Sequence, residues 1–325
     1  MKRTAKRLAI VITIILCLMT RGIAGGQDQA PNPRLERLRT QIQRLLRNVD
    51  GQVGVAIKHL ESGQSLDVNG NMLFPMASTF KVPVLVELLF QVKEGRYRLD
   101  DDISVQKSDQ HVGSGMISRL TAPGITLSVR NMAHFMMMIS DNSAADMLLD
   151  KVGAANINAR LKALGISGIS VNRSCQKLIA DLQGLLSGAR TREQRKAALV
   201  KFAENPEDEA TPLAMNMLIE KIFKKELADS DLSTLAMQIM LKCETGEMRI
   251  KGELPPGTAV AHKTGTLAGT VDDCGIIYLP DGQGHVALSF LSKEFTADTA
   301  DVEEIIAKIA RFVYDYFYFT AEKSF

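Results

Sequence analysis

The chain has 325 residues, 46% apolar and 23% charged, a composition that suits one large globular domain or two smaller ones. Its formal charge is +2, but residues 1–24 hold five basic residues and no acid, so the remainder carries −3. The basic balance of the whole chain is therefore no argument for nucleic acid as a partner. The five histidines do not cluster and the cysteines lack paired CxxC spacing, so no metal or other cofactor is expected.

The first segment opens with Lys2, Arg3, Lys6 and Arg7, and Leu8 to Met19 form an apolar run too short to span a bilayer comfortably. Gly22 and Ala24 follow as small residues at cleavage spacing, so residues 1–24 read as a secretory signal. The bulky Leu16 before Cys17 argues against a lipid anchor, and an uncleaved membrane anchor is the alternative. A periplasmic or secreted location is expected. It permits one disulfide among Cys175, Cys243 and Cys274, in any of three pairings.

From residue 32 the pattern alternates between two periods. Leu35, Leu38, Ile42, Leu45 and Leu46 recur at helical spacing over 32–48. The β-branched alternation VGVAIKHL, then ESGQ, then SLDV reads as a hairpin. The stretch MASTFKVPVLVELLF at 76–90 reads as a buried helix. Residues 95–128 are polar and turn-rich, with Gly113, Gly115, Pro123 and Gly124. Helix is expected over 129–164, with a break near Ser140, and again over 211–242; residues 167–195 lack convincing periodicity in their first half. Strands are expected at 258–264, 273–279 and 285–292, and a closing helix at 298–319.

This order places the first and last segments in one antiparallel sheet flanked by helices, an α/β lobe of 32–75 and 250–320. The mainly helical stretch 76–249 inserts as a second lobe of the same catalytic domain, residues 25–325, with a ligand cleft between the lobes.

Three short motifs carry chemistry. Ser78 and Lys81 stand three apart at the mouth of the buried helix, on one face. A serine needs a proton acceptor to become a nucleophile, and an amine whose pKa is lowered by burial can serve. The free N–H groups of a helix start favour a developing anion. A plainer reading makes Ser78 an N-cap and Lys81 a snorkelling first-turn residue. Ser140-Asp141-Asn142 marks a helix break, where Ser140 could pass a proton to a leaving nitrogen and Asn142 could bind a substrate amide. His262-Lys263-Thr264-Gly265-Thr266 places a cation and two hydroxyls on a strand opened by glycine, a fit for a carboxylate.

Ser-x-x-Lys, Ser-Asp-Asn and Lys-Thr-Gly in this order form a signature set. Through them, and through MASTFKVPVL, MISDNSAADMLLDKVG, ATPLAMNMLIEKI and LPPGTAVAHKTGT, the chain resembles the class A β-lactamase-like serine hydrolases from about residue 32 to 318. The resemblance implies the two-lobed serine β-lactamase/D,D-peptidase-like fold. It implies Ser78 as acylated nucleophile, Lys81 as proton acceptor and Ser140 as proton shuttle. Asn142, Lys263, Thr264, Gly265 and Thr266 would bind substrate, with backbone N–H groups of Ser78 and Thr266 as the oxyanion hole. The strand slot where the family often has a carboxylate-binding arginine reads Asp272, so Arg249 is the candidate.

One element departs from the family. Class A enzymes carry Arg-x-Glu-x-x-Leu-Asn, whose glutamate activates the deacylating water. The matching stretch here has Arg173 and Leu178, but Cys175 at the glutamate position and Ile179 at the asparagine position. Asp181, Glu204 and Glu207 are the acids that could substitute, although each also suits a solvated loop.

The expected activity is therefore β-lactam acylation with slow or unconventional release. A penicillin-binding D-Ala-D-Ala peptidase or transpeptidase, and a non-turnover β-lactam or muropeptide sensor, are the rivals. A small β-lactam or D-Ala-D-Ala peptide is the expected partner, and a monomer the expected state.

Overall fold

A computed structural model describes residues 32–47, 49–205, 207–227 and 229–320. The secretory signal expected at 1–24 lies outside the described residues. Leu38–Phe325 is one compact unit, preceded by a unit of Met1–Arg37.

Helix α1 (Pro33–Leu46) leads to the hairpin β1 (Gln52–His59) and β2 (Ser65–Val68). A short β3 (Phe74–Pro75) precedes a 3-10 turn, Ala77–Phe80, which runs into α2 (Lys81–Lys93). After β4 (Asp102–Val105) and β5 (Ile125–Ser128) come α3 (Val129–Met138), α4 (Asn142–Val152), α5 (Ala154–Ala163) and β6 (Ile169–Ser170). Then follow α6 (Cys175–Leu186), α7 (Arg192–Ala203), β7 (Glu209–Ala210), α8 (Pro212–Phe223) and α9 (Ser230–Leu241). The chain closes with β8 (Val260–Leu267), β9 (Thr270–Tyr278), β10 (His285–Lys293) and α10 (Thr299–Thr320).

The main sheet is antiparallel, in the order β2-β1-β10-β9-β8, so the first and last segments share it, as the sequence order implies. β9 and β10 are buried at nearly every position, because α10 covers one face and α8 the other. β8 is left at the edge of the sheet, against the 3-10 turn and α9. Helix α2 is the central strut. Its side chains from Val82 to Leu89 are buried all round, and Glu87 is neutralised inside by Arg160 at 2.9 Å.

Two expectations change. Residues 175–186 form a helix that begins within the first half of 167–195, where the spacing shows no convincing periodicity, and residues 192–203 form the next helix. Leu178 and Leu182 of α6 pack with Leu199 and Phe202 of α7 and with Leu267 at the end of β8, a small core separate from the main one. No disulfide forms among the described residues: Cys175, Cys243 and Cys274 are all free and buried. They lie apart in the chain, at the start of α6, in the loop after α9 and in the middle of β9, where Cys274 donates to the Lys263 carbonyl at 3.5 Å instead.

Candidate active site

The chain turns into the core at Ala77, a non-glycine residue with φ of +42°, a sparsely populated and strained conformation. The turn is locked by Thr79, whose N–H and hydroxyl donate to the Met76 carbonyl at 2.9 and 2.6 Å. Ser78 follows Ala77, half-buried, in the wall of a cavity of about 260 Å³. No side chain caps the 3-10 turn or α2, so Ser78 is not a cap. Lys81 does not snorkel either; it is completely buried.

The Lys81 amine donates to the Ser140 carbonyl at 2.7 Å, to Asn142 Oδ1 at 2.9 Å and to Ser140 Oγ at 3.1 Å. Lys263, equally buried, donates to the same Ser140 Oγ at 3.0 Å and to the Thr264 carbonyl at 2.8 Å. One hydroxyl thus bridges two amines. Ser140 is held there by a left-handed backbone, φ +59°, between α3 and α4. Asp141 fixes that link. Its carboxylate caps α4 through Ala144 N at 2.9 Å and receives the N–H groups of Met116 and Ile117 at 2.6 and 2.9 Å.

Burial lowers the Lys81 pKa, against the raising influence of Cys175, Asp141 and Asp146. Burial also brings Lys263 down to about 8, with Cys243 opposing and Lys81, in its protonated form, assisting. A neutral Lys81 has two N–H groups, matching the Ser140 carbonyl and Asn142 Oδ1. Its lone pair is then free for a hydroxyl. Ser78 Oγ makes no hydrogen bond with any described residue, the loose arrangement common in substrate-free sites.

The opposite wall is the edge strand β8 with the loop after α9. Thr264, Thr266, Thr245 and Arg249 line the cavity there. Arg249 is buried, not a surface arginine. It binds Glu303 at 3.0 Å, the carbonyls of Gly265 and Asp272 at 2.9 and 2.8 Å, and Thr266 Oγ1 at 2.7 Å. Gly265 does not line the cavity. Its role is proximity: a Cβ there would stand 2.8 Å from the Met76 carbonyl, so glycine lets β8 close against the turn that carries Ser78.

The predicted residues therefore converge, with differences in detail. Ser78, Ser140, Asn142, Thr264, Thr266 and Arg249 face the cavity, while Lys81 and Lys263 stand behind the Ser140 hydroxyl. The Asn142 amide is already engaged at both ends, with Nδ2 donating to the Val112 carbonyl at 3.2 Å.

Cys175 also lines the cavity, with Leu178 and Ile179, and none of the residues lining it is Asp or Glu. Burial pushes the Cys175 thiol up to about 12, so it is neutral and no base. Asp181 and Glu207 pair with Arg173 and Lys177, and Glu204 lines a separate depression along α7. None of the three acids reaches Ser78's cavity.

Sequence reasoning passed over three residues. Ser114 Oγ donates to the Ser140 carbonyl at 2.6 Å; the only signal was a serine between Gly113 and Gly115. Asp146 receives the N–H groups of Cys175 and Gln176 at 2.6 and 3.0 Å, seating the start of α6 at the cavity. Thr245 shares a 2.6 Å hydrogen bond with Thr264.

A sheet flanked by helices, with Ser-x-x-Lys, Ser-Asp-Asn and Lys-Thr-Gly gathered on one cavity, defines a serine hydrolase of the class A β-lactamase kind. The chain belongs to the β-lactamase enzyme family, whose model matches residues 37–317. It is 27% identical to the extended-spectrum β-lactamase PER-1 of Pseudomonas aeruginosa, over 94% of each chain. It is 26% identical to β-lactamase VEB-1 of the same organism, over 88% of this chain and 92% of that one. The crystal structure of a β-lactamase from Chitinophaga pinensis superposes with a TM-score of 0.76 at 28% identity, covering 86% of this chain and 98% of the other.

Proposed function

We propose that this chain is an exported serine β-lactamase-like enzyme that acylates quickly at Ser78 and releases product slowly. The observation that carries the reading is the Ser140 hydroxyl, shared by two fully buried amines at the wall of the cavity that Ser78 lines. Neutral Lys81 takes the Ser78 proton as Oγ bonds to the lactam carbonyl carbon. The N–H groups of Ser78 and Thr266 receive the oxyanion. As the tetrahedral intermediate collapses and its C–N bond breaks, Lys81 returns the proton to the leaving nitrogen through Ser140. Lys263 supplies positive potential from behind, while Thr264, Thr266 and Arg249 meet the substrate carboxylate.

Deacylation needs a base for water, and the cavity lining supplies a neutral thiol where the family has glutamate. Loss of a positioned base typically lowers a rate by about 10²–10⁴. The same absence favours the second reading, a D-Ala-D-Ala peptidase or a covalent trap. Export rests on the basic head and apolar run of residues 1–24.

Stopped-flow mixing with a chromogenic cephalosporin tests this, together with mass spectrometry of the Ser78 peptide. A burst stoichiometric with enzyme, a Ser78 acyl adduct and slow continued turnover are expected. A burst with no turnover, plus hydrolysis of a D-Ala-D-Ala peptide, selects the peptidase. Acylation that persists in Ser78→Ala would remove every serine-based reading.

A further inference from the structure

The segment that leads to Ser114 holds a histidine that the chemistry above leaves unused. The ring of His111 is largely buried, and its Nδ1 lies 2.7 Å from Asp146 Oδ2 of α4. Its backbone N–H donates to Ser143 Oγ, also of α4, at 2.8 Å. The Asp146 carboxylate receives Cys175 N at 2.6 Å and Gln176 N at 3.0 Å as well, so it is an acceptor and His111 Nδ1 is the donor. Cys175 and Gln176 are the first two residues of α6, and their N–H groups have no partner within their own helix. The local cap, Ser174 Oγ, accepts Lys177 N at 3.2 Å instead. The leading N–H groups of α6 are therefore held from outside by one carboxylate, and that carboxylate is held by His111.

We propose that His111 is a positioning residue: its hydrogen bond to Asp146 latches α6 against the cavity, and the latch prolongs the acyl-enzyme by keeping water out. The inference rests on the slow release proposed above. Cys175, Leu178 and Ile179 line the cavity that Ser78 lines, and their side chains offer water no carboxylate. With no general base, release depends on how often water reaches the ester carbonyl, and local opening of the wall governs that access. The segment after His111 fills the space between α4 and α6. A Cβ on Gly113 would stand 2.4 Å from Asn142 Nδ2 and 3.5 Å from Ile179 Cδ1. Beyond its first turn, α6 is held by Leu178 and Leu182 in the small core shared with α7. The acylating groups are secured separately. Lys81 is oriented by the Ser140 carbonyl and Asn142 Oδ1, and Asp141 fixes the link through Met116, Ile117 and Ala144. Loss of one charge-assisted hydrogen bond shifts a local opening equilibrium by roughly tenfold or more. Release should follow that shift, and acylation should not.

The test has two arms. In the first, the burst and the release of a chromogenic cephalosporin are timed in wild type and three variants. His111→Ala should leave the burst rate constant unchanged and raise the release rate constant by about tenfold. His111→Asn should restore slow release, because its Nδ2 stands at the same place along the side chain as Nδ1. His111→Gln carries its donor one atom further out and should behave like His111→Ala. In the second arm, amide hydrogen exchange reads the latch directly. Protection of the Cys175 and Gln176 N–H groups should fall by about tenfold in His111→Ala and His111→Gln and recover in His111→Asn. Release that is unchanged or slower in His111→Ala overturns the proposal, and so does a burst that changes in step with release. If His111→Ala does not fold, the contrast between His111→Asn and His111→Gln decides the point. If wild type never acylates at Ser78, the functional reading fails and the effect on lifetime fails with it, while the exchange arm alone decides the latch.

Discussion

Lys81 donates to both oxygens of Ser140, to the carbonyl at 2.7 Å and to the hydroxyl at 3.1 Å. The carbonyl and Asn142 Oδ1 can only accept, so they fix the orientation of the amine whichever protonation state it holds. The hydroxyl can reverse its role, accepting from an ammonium or donating to a lone pair. Proton transfer thus requires rotation of one O–H bond and no movement of a backbone. The strained φ of +59° at Ser140 maintains this arrangement.

Removing each partner should separate these roles. Ser140→Ala keeps the carbonyl that orients Lys81 but removes the shuttle, and acylation should slow by about 10²-fold or more. Its acidic limb, set by Lys81 losing a proton, should remain where it is in wild type. Lys81→Met should lose the limb along with the rate. Stopped-flow acylation across pH checks both, and an acidic limb that persists in Lys81→Met would exclude this amine as the base.

Buried Lys263 should cost stability. Its pKa falls from the ordinary 10.5 to about 8 because burial disfavours the charge. The unfolded chain therefore binds this proton more tightly than the folded one. The penalty is full below pH 8, about 3 kcal/mol by linkage as an order of magnitude. It shrinks as pH rises from about 8 and is gone above 10.5. Lys263→Met should melt at higher temperature than wild type at pH 7, converge with it near pH 10.5, and acylate anionic substrates poorly. Calorimetry at the two pH values reads the difference; a gap that stays constant with pH would contradict the linkage.

The slow-release reading predicts that a carboxylate at the cavity wall accelerates turnover. Cys175 lines the cavity and stands first in α6, where its N–H is already held by Asp146. Cys175→Glu should raise the steady-state rate relative to the burst by about 10-fold or more, within the range of general-base effects. It should also destabilise the protein, since a second buried acid is brought close to Asp146. The ratio of burst to steady-state rate is the measurement. An unchanged ratio would place the deacylation barrier elsewhere.

Much of this was legible before any coordinates, and the remainder was hidden for identifiable reasons. The three motifs were readable because Ser78/Lys81 are local to one turn and Lys263 to Thr266 are local to one strand. Helix α6 was not, because its core-facing Leu178 and Leu182 bury against α7 and the end of β8 in a small separate core, which sequence spacing alone does not reveal. Ser114 was invisible because its partner, the Ser140 carbonyl, lies 26 residues away and no periodicity marks it. Arg249 is legible only in its charge and its place before the strand. Its burial and its contacts with Gly265, Asp272 and Glu303 depend on tertiary packing.

The position of Ser78 relative to β8 is set by a residue with no side chain. Gly265 brings the edge strand to the Met76 carbonyl, and a Cβ would approach that oxygen to 2.8 Å and Ala77 Cβ to 3.1 Å. Both contacts belong to the turn immediately before Ser78, so relief must come from separating the turn and the strand. The sheet itself need not unfold, because β8 is an edge strand paired on its far side with β9. Gly265→Ala should therefore stay folded, losing about 1–3 kcal/mol as for an overpacked core. Its acylation should drop further than that, since a misplacement of about 1 Å between reacting groups can lower a rate by about 10²-fold. Thermal melting and the burst rate constant, measured on the same sample, separate the two effects. A variant that melts normally and acylates at the wild-type rate would show that the contact between strand and turn does not position the nucleophile.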